Sequence, residues 1–74
     1  MVYVQYYYKK ENEFIEPCGD RSIIILDGRN SIETMKNDAI RFNGYRRPVY
    51  DAYKIFKGET FSRSNPITNL IILK

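Results

Sequence analysis

Only one stretch of this chain carries a helical period. Ile32, Met35, Ala39 and Phe42 fall at i, i+3, i+7 and i+10, so they lay a single apolar stripe along a helix over roughly residues 32–43. Ser31 offers the hydroxyl that an N-cap uses to accept from a free amide, and Glu33 and Arg41 match the two ends of the helix dipole. Gly44 stands where a left-handed residue closes a helix at little cost. A lone amphipathic helix has nothing to bury its stripe against, so the remainder of the chain must supply a flat apolar surface.

It does so with short β-type runs. Residues 1–9 are dense in valine and tyrosine, which suit a pleated, half-buried surface. Alternation places Val2, Val4, Tyr6 and Tyr8 on one face and Tyr3, Gln5, Tyr7 and Lys9 on the other, and the first set is the better core candidate. Polar residues 10–12 break the pattern, Phe14 and Ile15 resume an extended segment, and Pro17-Cys18-Gly19-Asp20 is turn chemistry. Residues 22–26 hold the unbroken run Ile23-Ile24-Ile25-Leu26, which reads as a central strand covered on both faces. After the helix, residues 49–57 alternate with neither face purely apolar, 60–63 read as a short returning strand, and 67–73 as a last strand. The expected fold is a single α+β domain over residues 1–74: one helix on a mainly antiparallel sheet of four or five strands, in the order strand, strand, helix, then two or three strands.

Length and composition then narrow the function. A domain of 74 residues hides only about 60% of its unfolded surface, too little to wrap a deep, water-excluded pocket, so its chemistry belongs on its exterior. Without histidine it lacks the usual neutral-pH general base and the commonest metal ligand, and one cysteine makes neither an internal disulfide nor a zinc cage. Cys18 reads as an inert turn cysteine, since no second cysteine or histidine stands by to activate it. The carboxylates are scattered, and Lys57-Gly58-Glu59-Thr60 lacks the upstream glycine of a phosphate-binding loop. The expectation is a protein that is not an enzyme, with no cofactor and no metal. No apolar run is long enough to span a membrane, and the charges of the N-terminal stretch follow its apolar residues, the reverse of a secretory signal; a cytoplasmic address is expected.

Charge and aromatics supply the candidate surface. The net charge is +3, and it is uneven: Arg41, Arg46, Arg47, Lys54, Lys57 and Arg63 are opposed over their stretch only by Asp51 and Glu59. Such a bias suits an anionic partner, although a solvated, solubilising surface has the same composition. Seven tyrosines exceed what a small core requires, because a buried phenol must also find a hydrogen-bond partner. On alternation Tyr7 points away from Tyr6 and Tyr8 and stays partly exposed. Tyr45-Arg46-Arg47-Pro48-Val49-Tyr50 sets two guanidiniums between two aromatics directly after the helix and is the preferred contact segment. The candidate partner-binding residues are Tyr7, Tyr45, Arg46, Arg47, Tyr50, Lys54, Lys57 and Arg63.

The stretch Asp38-Ala39-Ile40-Arg41-Phe42-Asn43-Gly44, closing a helix before Tyr50-Asp51-Ala52-Tyr53-Lys54-Ile55, sits in a small, aromatic-rich α+β chain without evident catalytic groups. In that format the chain resembles the small accessory proteins of bacteriophages and other mobile elements, including anti-defence inhibitors such as anti-CRISPR proteins. The resemblance is one of size and pattern and transfers no functional residue. It implies a stand-alone inhibitor or modulator that binds a larger host or defence protein. Two other readings stand beside it. In one, Arg41, Arg46, Arg47, Lys54, Lys57 and Arg63 meet phosphates of a nucleic acid while tyrosines stack on bases. In the other, residues 67–73 pair across subunits of a homo-oligomer.

Overall fold

A computed structural model describes residues 1–17, 22–45 and 49–73. It contains β1 (Val2–Lys10), β2 (Glu13–Ile15), β3 (Ile23–Ile25), α1 (Ile32–Gly44), β4 (Ala52–Lys57) and β5 (Ile71–Ile72). This is an α+β domain, one helix packed with an antiparallel sheet of five strands. The turn expected at Pro17-Cys18-Gly19-Asp20 falls largely outside the described residues, as does the segment Arg46-Arg47-Pro48.

The central strand is β1. Along one edge it pairs antiparallel with β4, from Val2 opposite Lys57 to Tyr7 opposite Ala52. Its other edge is shared: β3 pairs with Tyr3–Gln5 and β2 with Tyr8–Lys10. The first two strands join through Glu11 and Asn12, both with positive φ (50° and 70°), the backbone of a two-residue hairpin turn. The isoleucine run is therefore an edge strand, and the expectation of a central strand there is corrected: Ile25 is 56% exposed. A run of isoleucines fits either position; here its three residues pair with β1 alone, while β1 and β4 are the strands that carry partners on both edges.

The helix begins as the sequence implies, with the Thr34 N–H donating to the Ser31 hydroxyl at 3.2 Å. Its end differs. Gly44 is the last helical residue and Tyr45 caps it in a right-handed conformation (φ −89°, ψ −4°), with the Tyr45 N–H donating to Phe42 O at 3.2 Å. Met35 and Ala39 are buried, Phe42 packs against the core from its margin, and Ile32 at the first turn is exposed. The stripe meets Val2, Val4, Tyr6, Tyr53 and Ile55 on the sheet, together with Leu26 and Tyr50. Each fully covered aliphatic side chain there stabilises the fold by about 1.5–3 kcal/mol. The Tyr6 hydroxyl donates to Ala39 O at 2.7 Å and so ties the central strand to the helix backbone.

The second face of β1 is covered as well, which the sequence did not suggest. Tyr3, Gln5 and Tyr7 are buried, Tyr7 at 8% exposure, so the expectation that Tyr7 stays partly exposed is corrected. The cover is irregular chain, not a second helix. Phe61 packs edge-on against Tyr3 and Phe56, with ring centroids 5.8 and 5.1 Å away, and Gln5 Nε2 donates to the Ser22 hydroxyl at 3.0 Å. Arg63 grips Glu16 with three contacts of 2.6–2.9 Å, tying the chain after β4 to the chain after β2. Residues 60–63 form no strand; the chain returns to β4 only at the bridge between Phe56 and Pro66. β5 is shorter than the expected 67–73, but backbone bonds from Ile67 to Ile55 O (2.8 Å) and from Leu73 to Asp51 O (2.9 Å) keep that whole stretch along β4.

Candidate functional site

The described candidate residues separate into four places. Tyr50 is in the core, 5.0 Å from the Tyr6 ring and nearly parallel to it. Its backbone is held by Asn43: the Tyr50 N–H donates to Asn43 Oδ1 at 2.8 Å, and Asn43 Nδ2 donates to Tyr50 O at 3.2 Å. Tyr50 is therefore corrected from a contact residue to a structural one. Proximity to Arg46-Arg47 suggested a surface position, but the amide of Asn43 draws the chain inward there.

Tyr7, Lys54 and Arg63 lie together on the sheet face opposite the helix. Burial pushes the Tyr7 phenol up from its ordinary pKa and the Glu16 carboxylate adds to this, while Arg63 acts in the opposite direction. The hydrogen bonds from Arg63 hold the Glu16 carboxyl below the usual range, with the charges of Arg63 and Lys54 contributing. Arg63 is thus engaged within the fold, and its guanidinium also lies 5.2 Å from the Phe61 ring. Lys57, opposite Val2 at the end of β4, is exposed.

Tyr45 stands apart from the other three. At 77% exposure it is the most open of the seven tyrosines; five of the others are buried and Tyr8 is partly so. Its ring borders an open cleft of about 310 Å³ lined by Ile24, Ile25, Phe42 and Tyr45. The helix supplies Phe42 and its cap Tyr45, and the edge strand supplies the isoleucines. Arg41 lies 5.2 Å from the Phe42 ring and reaches Asp38 at 3.0 Å; Arg29 meets the same carboxylate at 2.6 Å. Two guanidiniums on one carboxylate leave this margin positive. Arg46 and Arg47 follow Tyr45 in sequence but lie outside the described residues, so the preferred contact segment is described only at its two tyrosines.

Sequence reasoning singled out Tyr45 and missed Ile24, Ile25 and Phe42. The available signal was the all-apolar run itself: an edge strand with isoleucine on both faces must expose one of them. Among the described residues, no group of three His, Cys, Asp or Glu side chains is placed to hold a metal ion, and no helix is long and apolar enough to cross a membrane. Compared with protein-family models, curated proteins and solved structures, the chain matches none of them.

Proposed function

We propose that this chain is a non-enzymatic binding protein that modulates a larger protein through the surface around Tyr45. The observation that carries this reading is the contrast among the tyrosines: one ring is open beside an apolar cleft with a positive margin, and the other six are buried or partly so. An exposed aromatic next to an apolar recess and arginine has the composition of an interface hot spot. The small mobile-element accessory proteins it resembles in format give the partner's class, a larger host or defence protein. The setting is cytoplasmic, where a lone thiol stays reduced.

The nucleic-acid reading loses support from the same contrast. Base stacking needs exposed rings, whereas Tyr3, Tyr6, Tyr7, Tyr50 and Tyr53 are buried. One of the six cations that would meet phosphates, Arg63, is already held by the Glu16 carboxylate. Affinity capture from lysate with and without nuclease tests the choice. Protein prey that survives nuclease supports the proposal. Loss of all prey, with an affinity falling steeply with salt at a logarithmic slope of about −5 for six phosphate contacts, overturns it.

A further inference from the structure

We infer, resting on the partner-binding reading above, that the outer edge of β3 and the adjoining cleft receive an extended segment of the partner, with an apolar side chain in the cleft and a carboxylate two residues along. The backbone phase of β3 sets the first half of this. The Leu26 N–H donates to Val2 O at 2.9 Å, and Ile24 lies opposite Val4, so by antiparallel alternation Leu26 and Ile24 turn their backbone groups toward β1. Ile23 and Ile25 turn theirs outward. Among the described residues no strand pairs with that edge, and β3 has β1 as its sole neighbour. Two outward residues separated by one inward residue are what an added strand bonds to.

The cleft sets the second half. A strand added there places alternate side chains toward the helix layer, where Phe42, Tyr45 and Ile24 bound a recess with room for one large apolar group. A side chain two residues along on the same face is the one to meet Arg41, whose guanidinium lies 5.2 Å from the cleft-lining Phe42 ring. That guanidinium shares Asp38 with Arg29, so it is not neutralised one-to-one and its side chain remains more than half exposed. A carboxylate on the incoming segment completes the balance. A second copy of this chain is the poorer occupant, because a two-fold pairing of β3 with itself sets two Arg41-bearing margins against each other.

A display library of random dodecapeptides panned against the full chain tests this directly. The expected result is enrichment of proline-free sequences carrying a large apolar residue and an Asp or Glu two positions away. Binding of the selected peptides should fall about tenfold or more in Ile25→Pro, which removes an outward N–H that the fold does not use. Arg41→Glu should lose the acidic preference, a readout that stands even if the proline variant fails to fold. Peptides that bind both variants like the parent chain, or no enrichment at all, overturn the edge site. Either result leaves the partner-binding reading itself to the capture experiment. A dimer in sedimentation that Ile25→Pro dissolves also overturns the inference, by placing a second copy on the edge.

Discussion

Asn43 and Tyr50 hold each other by a reciprocal pair of hydrogen bonds, side-chain amide to backbone N–H and C=O, inside the core. The bond pair fixes where the chain enters β4 after the helix, and thereby where the helix end and Tyr45 sit relative to the sheet. Asn43→Ala strips both partners from a buried backbone unit. The expected cost is about 2–4 kcal/mol, read as a shift in the urea midpoint at unchanged slope. A loss below about 0.5 kcal/mol would mean that water satisfies Tyr50 and that the latch is dispensable.

Two buried tyrosines separate packing from hydrogen bonding. The Tyr53 hydroxyl is buried without a hydrogen-bond partner, and burial pushes its pKa up; the Tyr6 hydroxyl donates to Ala39 O. Tyr53→Phe removes an unsatisfied polar group and is expected to stabilise by about 1 kcal/mol, while Tyr6→Phe costs about 1 kcal/mol. Thermal unfolding of the pair checks the sign. Equal shifts in one direction would contradict the assignment of partners.

The Glu16–Arg63 pair predicts a narrow pH dependence. Its carboxyl titrates below its unfolded value of 4.5, so the pair's contribution is fully present above that value and disappears as the pH falls through the folded pKa. Both side chains are substantially open to solvent, so the effect is small. Glu16→Gln should lower the melting temperature at neutral pH by only a few degrees, and the difference from the parent should close in acid. A difference that persists once the Glu16 carboxyl is protonated in both states would assign the effect to packing.

The Glu11-Asn12 turn is open to improvement. Both residues hold positive φ, a region that suits asparagine and glycine far better than glutamate. Replacing the pair by Asn-Gly is expected to stabilise by about 0.5–1 kcal/mol, measured by urea denaturation. A loss of stability would mean that the Glu11 side chain contributes something the turn geometry does not require.

How much was legible beforehand follows from what each pattern encodes. The helix was readable because Ser31, Met35 and Ala39 combine a local cap with a local period, and neither depends on a distant partner. The class followed from one helix and several β-type runs. Strand position did not follow, since Ile23-Ile24-Ile25 satisfies the same residue preferences in the centre or at an edge, and the choice rests on pairing with strands distant in sequence. Tyr7 misled for a related reason. Alternation places it opposite Tyr6, but the cover over that face comes from Phe61 and from the Glu16–Arg63 pair, contacts across dozens of residues that no local period records. Tyr45 was legible as a candidate because it flanks Arg46-Arg47 directly after the helix; the cleft beside it required β3 to be an edge.

The central claim is that the surface around Tyr45 binds the partner. The direct measurement is quantitative capture with Tyr45→Ala as bait beside the parent chain, after nuclease, with thermal melting of both. Removing an aromatic hot spot is expected to weaken retention of the specific prey by about thirtyfold or more, at an unchanged melting temperature because the ring is 77% exposed. Prey retained equally by both baits would contradict the claim.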